Sequence, residues 1–306
     1  GGAGAAAGAG AVGPVVSPAG ASGGGAADPA GGMLTCEFVE DIAKPYPSQA
    51  IAHVMGVPLQ DAPRLHHWSN WIQRQFDAIS MVEERAGIER AVAEFYEYAW
   101  ELLRARRESP GDDLISLLIA AEEQGDRLSD VECVNLVLNV LIGGVDTTQS
   151  QLAHAIRLLA EHPDQWALLA ERPELAGAAV EEALRFEPIT PFTARIVVEE
   201  LTFRDVTFPA GTIVMVCAFT GNRDLPADAG DPDAFDIRCD RKRARALTFG
   251  AGVHNCLGAS LARVELQEAL AFLAPRMPRL ELAGEPVFEG ITGIYGLAEL
   301  PLRFAG

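Results

Sequence analysis

The sequence at residues 249–258 reads Phe249-Gly250-Ala251-Gly252-Val253-His254-Asn255-Cys256-Leu257-Gly258 and leads into a helical pattern over 259–273. A cysteine at a helix N-terminus lies near unpaired backbone N–H groups and the positive end of the helix dipole, which favour its thiolate form. The thiolate is the form that binds metals. Because the glycines carry no Cβ, the backbone can turn sharply and lie close against a flat ligand. The stretch therefore predicts a metal–thiolate site with Cys256 as the ligand.

The other interpretation of this loop is a buried free cysteine that packs as a small hydrophobe before a helix. The remaining cysteines are Cys36, Cys133, Cys217 and Cys239, and they are dispersed along the chain. No Cys-x-x-Cys pair indicates a zinc site, and scattered single cysteines are typical of reduced thiols.

A second motif interrupts a long apolar helical pattern over Asp130 to Glu161. Its middle reads Gly143-Gly144-Val145-Asp146-Thr147-Thr148, where a core helix would favour Leu or Ala. Glycines lower helix propensity and threonine hydroxyls compete for the i−4 carbonyls, so we expect the helix to widen or kink there. The alternative is a pair of packing glycines beside a solvent-facing Asp146.

The third motif, Glu182-Ala183-Leu184-Arg185, places an acid and a base on one face of a helix. On its own it is equally typical of a surface ion pair worth a few tenths of a kcal/mol.

Taken together and in this order, the three motifs resemble those of the cytochrome P450 family, whose haem-binding signature is Phe-x-x-Gly-x-x-x-Cys-x-Gly. The resemblance implies haem b with Cys256 as the axial thiolate ligand of its iron, and Asp146 and Thr147 as an acid–alcohol pair that guides protons. It implies a structural role for Glu182 and Arg185. The other positions that the resemblance implies for cofactor binding are Phe249, Gly250, Gly252, His254, Gly258, Arg195, Gly143 and Gly144, of which Arg195 and His254 would hold the propionates.

The activity that the resemblance implies is monooxygenation, in which one oxygen atom of O2 is inserted into a small hydrophobic or amphipathic organic substrate. Electrons would come from NAD(P)H through a separate ferredoxin and its reductase. The expected substrate-pocket residues are Ile142, Gly143, Thr190, Pro191, Phe192 and Ile294. Two alternatives stay open: a peroxide-driven peroxygenase, and a degenerate haem-binding module that recruits a partner without turnover.

A basic cluster precedes the cysteine loop and comprises Arg238, Arg241, Lys242, Arg243 and Arg245. We expect it to steer an acidic ferredoxin to the thiolate side of the haem, although some of these side chains could instead be internal ties. The net charge of −19 argues against nucleic acid as a partner.

The fold expected from these patterns is mainly α with a minor β region, a cytochrome P450 fold over residues 33–306 as one haem domain. Residues 1–32 depart from it, because 23 of them are Gly or Ala and the single charge is Asp28. Such a composition does not build a packed core, so this segment is either a truncation or a stretch that stands in for unidentified residues. With no signal-peptide or membrane-anchor pattern, we expect a soluble, cytoplasmic protein that does not contact a membrane.

Overall fold

The structure is a computed structural model that describes residues 32–123, 128–226, 228–239, 246–290 and 293–306. Within them the chain is mainly helical with a minor β region, as the sequence predicts. The helices are α1 Pro45–Met55, α2 Ala62–Gln73, α3 Ser80–Glu83, α4 Arg85–Glu108, α5 Leu114–Glu123, α6 Asp130–Gly144, α7 Asp146–Glu161, α8 Pro163–Glu171, α9 Ala176–Phe186, α10 Ala218–Gly221 and α11 Ala259–Leu273. The strands are β1 Met33–Glu37, β2 Phe192–Ile196, β3 Leu201–Phe203, β4 Val206–Phe208, β5 Ile213–Cys217, β6 Glu281–Leu282, β7 Val287–Phe288, β8 Leu297–Glu299 and β9 Pro301–Ala305.

The strands form four small antiparallel sheets. In the largest, β9 lies between β1 and β6, with Met33 opposite Ala305 and Glu281 opposite Arg303. The other sheets are the pairs β2–β5, β3–β4 and β7–β8. The last strand therefore pairs both with β6, which is near it in sequence, and with β1 at the other end of the described chain.

The apolar core has two parts. One is formed mainly by α1, α2, α4, α5 and α6, and the other by α7, α8, α9, α11 and the C-terminal strands. The central helix runs from the first part into the second. Leu141 and Val145 belong to the first and Leu152 to the second, so the glycine-containing motif lies where the two parts meet.

Two helix ends show recognised capping motifs. Ser129 and Glu132 form a capping box at the start of α6, in which the Glu132 N–H donates to the Ser129 hydroxyl at 3.3 Å and the Ser129 N–H donates to Glu132 Oε2 at 2.7 Å. At the end of α1, Gly56 adopts a left-handed conformation with φ +68°, which favours glycine.

Among the described residues, Asp130–Glu161 is the one helical stretch long and apolar enough to cross a membrane. Its second half, α7, is buried along nearly its whole length and packs against α1, α9 and α11. That surrounding is typical of the core helix of a globular protein.

One acid is buried in this core without a counter-charge. Glu265 on α11 is 4% exposed, and neither of its carboxylate oxygens has a hydrogen-bond partner among the described residues. Burial raises the pKa of this carboxyl to about 8, from an ordinary value of 4.5. We therefore expect Glu265 to be protonated at neutral pH.

Replacing Glu265 with Gln should remove a pH dependence of stability. Between the ordinary pKa and the raised pKa only the folded chain keeps this proton, so wild-type stability falls as pH rises, by about 1.4 kcal/mol per unit at most. Urea unfolding at pH 5 and pH 8 should show wild type losing about 2–3 kcal/mol more than Glu265→Gln. Glu268→Gln, on the exposed side of the same helix, is the control, and its stability should change with pH as the wild-type stability does. Parallel pH profiles for wild type and Glu265→Gln would show that Glu265 is ionised when folded.

Candidate functional site: the cysteine loop and the broken central helix

Cys256 lies at the end of a tight loop, three residues before α11. Its backbone N–H donates to the Phe249 carbonyl at 2.8 Å, and the Gly250 N–H donates to the Leu247 carbonyl at 2.8 Å. Gly250 and Gly252 have φ values of +70° and +71°, a region that side chains with a Cβ rarely adopt. The glycines therefore permit the turn that brings Cys256 to the start of the helix.

The face of the loop around the thiol is open and apolar. Cys256 is exposed, and its neighbours Val253 and Leu257 are 97% and 87% exposed. A Cβ added at Gly252 would meet no atom within 4 Å, and one at Gly250 would meet only the His254 carbonyl at 3.4 Å. Large apolar side chains beside an exposed thiol and bare backbone fit a flat, apolar ring that binds a metal through one cysteine.

No other metal-ligating arrangement competes with this loop in the part of the chain that the structure describes. No group of three or more His, Cys, Asp or Glu side chains that could hold a metal ion occurs there. Haem iron needs a single protein ligand in this type of site, so the donor set on this loop fits haem.

Phe249 anchors the loop to the helical core. Its ring packs against the second core part, and the Arg263 guanidinium lies 4.6 Å from the ring centroid. Arg263 also forms an ion pair with Glu181 on α9. The sequence did not predict this contact, since its only sign there is a cation four residues after the start of α11.

The central helix is interrupted as the sequence predicts. α6 ends at Gly144, Val145 has a ψ of −75°, and α7 begins at Asp146. The Thr147 hydroxyl donates to the Gly143 carbonyl, the back-bonding that widens helices. At the interruption, a threonine side chain therefore donates a hydrogen bond to a backbone carbonyl of the preceding turn.

The two glycines at the break have different surroundings. A Cβ added at Gly143 would meet no atom within 4 Å, whereas one at Gly144 would lie 2.4 Å from the Ile51 side chain on α1. Gly144 thus permits close packing of two helices, the alternative considered for both glycines, while Gly143 lies beside open space.

Asp146 is buried and turned toward α2. It is 6% exposed, and the Ser69 hydroxyl donates to its Oδ2 at 2.5 Å. Burial raises the pKa of this carboxyl, while hydrogen bonds from Ser69 and Asn70 and the nearby His66 act in the opposite direction. Thr147 and Asp146 therefore have different hydrogen-bond partners: Thr147 bonds to its own helix and Asp146 to α2. The sequence did not predict the partners of Asp146 on α2.

Glu182 and Arg185 form a buried, bidentate ion pair on α9. Arg185 Nε and Nη2 donate to the two carboxylate oxygens at 2.8 Å each, with side-chain exposures of 3% and 4%. The surface-pair interpretation is excluded by this burial. Backbone groups before the cysteine loop join this network: Arg185 donates to the carbonyls of Pro232 and Ala234, and the Asp236 N–H donates to Glu182.

Arg238 is the one member of the basic cluster that the structure describes. It is exposed and forms an ion pair with Asp236 at 2.8 Å, two residues away. Arg241, Lys242, Arg243 and Arg245 lie outside the described residues. A tie from Arg238 to the Glu182–Arg185 pair, which the sequence left open, is not made.

The two residues expected to hold propionates lie on separate, exposed elements. Arg195 is on β2 and donates to the neighbouring Ala194 carbonyl, and His254 is in the short helical turn before Cys256. The expected pocket residues differ in burial: Ile142, Pro191 and Ile294 are buried, Thr190 is half-buried, and Phe192 is exposed. No hydrogen bond, ion pair or ring contact joins these residues to one another in the described part of the chain, so their shared role stays a prediction.

Comparison with known proteins relates this geometry to a family. The family model described as Cytochrome P450 matches residues 65–171 and 165–273. Luteothin monooxygenase from Streptomyces thioluteus is 38% identical over 269 residues, covering 88% of this chain and 66% of that protein. Nocardicin C N-oxygenase from Nocardia uniformis subsp. tsuyamanensis is 40% identical over 252 residues, covering 82% of this chain and 61% of that protein.

The fold is also similar to solved structures. The crystal structure of CalO2 aligns with a TM-score of 0.81 at 34% identity, covering 88% of this chain and 68% of that chain. The chain thus spans about two thirds of the length of the proteins it resembles. From the cysteine loop, the interrupted helix, the family match and this likeness it follows that the chain belongs to the cytochrome P450 family.

Proposed function

We propose that this chain forms the haem domain, over residues 33–306, of a haem-thiolate monooxygenase. The observation that carries the proposal is the exposed Cys256 at the start of α11, on a glycine-turned loop with a bare apolar face. When bound there, haem b supplies an iron centre that activates O2 for insertion of one oxygen atom into an organic molecule. The named relatives that are a monooxygenase and an N-oxygenase support this class of reaction.

The loop residues would hold the cofactor in distinct ways. Cys256 would bind the haem iron, and the start of α11 favours its thiolate. Val253 and Leu257 would cover apolar ring surface, and the bare backbone at Gly250 and Gly252 would allow close approach. For the propionates we propose Arg195, a fixed cation with a forked donor, and His254 as an N–H donor.

Two residues of the interrupted helix would transfer protons to the site. Asp146 is a buried acid whose pKa is raised by burial, and a carboxyl in this setting can hold and release a proton. The Thr147 hydroxyl can give up its bond to the Gly143 carbonyl and donate toward the open space beside Gly143. These two residues are the proposed catalytic pair.

The proposed substrate is a small hydrophobic or amphipathic organic molecule. The lining proposed for it is mostly apolar with one hydroxyl, at Thr190, as is typical of ligand pockets. Electrons would reach the site from NAD(P)H through a ferredoxin and its reductase, with the basic cluster of residues 238–245 as the docking patch. The proposed setting is the cytoplasm.

Replacing either member of the catalytic pair should lower product yield. With haem-loaded full chain, a surrogate ferredoxin and reductase, and a panel of hydrophobic substrates, Asp146→Asn and Thr147→Ala should each form product at least about 100-fold more slowly, the usual size of a lost proton-transfer group. Thr148→Val, at the adjacent buried hydroxyl, is the control and should keep most activity.

Three outcomes would redirect the proposal. Product formed with peroxide but not with the reductase would favour a peroxygenase. Haem binding without any turnover would favour a partner-recruiting module. Full activity in both Asp146→Asn and Thr147→Ala would remove the catalytic pair from the mechanism.

A further inference from the structure

One face of α7 is hydrogen-bonded to two segments that contain expected pocket residues. Gln151, His154 and Arg157 follow one another at steps of three residues, the spacing at which side chains of a helix are neighbours. All three are buried. Buried polar groups have a cost unless they are hydrogen-bonded, so the partners of these three residues indicate what this face does.

The first segment begins at Glu187, directly after α9. Arg157 Nη2 donates to Glu187 Oε2 at 2.9 Å, and Gln151 Nε2 donates to the Glu187 carbonyl at 3.2 Å. Glu187 is therefore held on α7 through both its side chain and its backbone. The chain continues from it into residues 189–192, which contain three of the expected pocket residues.

The second segment is 293–296, which precedes β8 and contains the expected pocket residue Ile294. His154 Nε2 donates to the Tyr295 carbonyl at 3.0 Å. The rings of His154 and Tyr295 are stacked, with 4.8 Å between their centroids. A hydrogen bond and a ring contact from the same histidine therefore hold this segment on α7.

The His154 ring is a neutral imidazole. Burial lowers its pKa to about 4, from an ordinary value of 6.5, and the nearby Arg157 acts in the same direction. A neutral imidazole carries one N–H, and a carbonyl oxygen only accepts, so the proton is on Nε2. His154 therefore donates to Tyr295 at neutral pH without carrying a charge.

The two segments are also hydrogen-bonded to each other. The Tyr295 N–H donates to the Ile189 carbonyl at 2.7 Å. Among the described residues, Ile189 and Ile294 are buried but belong to neither part of the apolar core. Tyr295 is therefore the residue at which α7 and both segments are joined, in an apolar region separate from the core.

We propose that His154 is a positioning residue, which fixes Tyr295 on α7 and thereby places Ile294 against the substrate. Because Tyr295 is also hydrogen-bonded to Ile189, a shift of Tyr295 would change the distance between Ile294 and residues 189–192. That distance decides which carbon of a bound molecule lies nearest the reacting centre. The inference rests on the proposed function for its effect on products, whereas the contact itself is a property of the folded chain.

Amide hydrogen exchange of the full chain tests the contact without turnover. His154→Leu removes the donor and the ring, so the Tyr295 N–H should exchange at least about fivefold faster, the factor that corresponds to one hydrogen bond. The amides of β1, which lie in another sheet, should keep their wild-type rates. His154→Gln keeps an N–H donor of similar reach and should restore most of the protection.

Two further variants complete this experiment. His162→Leu is the matched control, since the His162 Nδ1 lies 2.7 Å from the Leu158 carbonyl of the same helix, and it should leave the rate at position 295 unchanged. Tyr295→Leu removes the ring stack and should raise that rate, in case His154→Leu does not fold. Equal rates at position 295 in wild type, His154→Leu and Tyr295→Leu would overturn the inference. An equal rise in β1 would overturn it as well, since it would show a general loss of stability.

Product ratios supply the second readout. With haem-loaded chain and dodecanoic acid, whose methylene groups give separable products, His154→Leu and Ile294→Ala should each change the ratio of the two main products at least about threefold. His154→Gln and His162→Leu should keep the wild-type ratio. A lower total rate at an unchanged ratio in His154→Leu would overturn the positioning role. If neither dodecanoic acid nor the panel of hydrophobic substrates gave product, the proposed function would fail, while the exchange rates would still decide the contact.

Discussion

Arg185→Met is expected to lower the free energy of unfolding by about 3–5 kcal/mol, because it removes a buried, bidentate counter-charge from the Glu182 carboxylate. Glu182 accepts two hydrogen bonds from Arg185 at 2.8 Å, and both side chains are almost fully buried. The substitution also removes the hydrogen bonds that Arg185 donates to the carbonyls of Pro232 and Ala234, at 2.8 Å each.

Urea denaturation of the full chain followed by circular dichroism measures this loss. Arg172→Met provides the matched control, since Arg172 pairs with Glu174 at 2.9 Å on the surface, with exposures of 56% and 64%. Exposed pairs contribute about 0–1 kcal/mol. The free energy of unfolding of Arg185→Lys should lie between those of wild type and Arg185→Met, because the single ammonium group of lysine cannot form the two parallel hydrogen bonds of the guanidinium. If Arg185→Met lost no more than Arg172→Met, the pair would not stabilise the fold.

The parts of the site that depend on local sequence could be predicted. α11 has the bounds expected from the helical pattern, because Gly258 precedes it and apolar residues recur at helical spacing. The interruption at Gly143-Gly144 was expected because glycines and back-bonding threonines weaken a helix locally. Cys256 could be identified as the metal ligand among the five cysteines because its loop carries a specific motif.

The parts that depend on contacts between distant segments could not be predicted. The partners of Asp146 lie on α2, and nothing in the spacing of Ser69 or Asn70 says which helix they face. The Glu182–Arg185 pair is also hydrogen-bonded to backbone atoms of 232–236, which any sequence provides. α1 begins at Pro45, since proline is well tolerated in the first turn of a helix, but proline is equally common in turns and so does not by itself indicate a helix start.

Cys256→Ala is expected to abolish the thiolate haem site while leaving the fold intact. The side chain is exposed and packs against no part of the core, so its loss should not change the free energy of unfolding measurably. The loop itself is held by backbone hydrogen bonds and by Phe249. The loss should therefore be confined to the metal ligand.

The most direct test of the haem-thiolate account is the carbon monoxide difference spectrum of the reduced, haem-reconstituted chain, recorded for wild type and for Cys256→Ala. Thiolate ligation strongly perturbs haem electronics, so the account predicts a strongly red-shifted Soret band in wild type that is absent in Cys256→Ala. Cys217→Ala, at another free cysteine, should retain the wild-type band. A band at the position of a neutral-ligand haem in wild type, or a red-shifted band that survives in Cys256→Ala, would contradict the account.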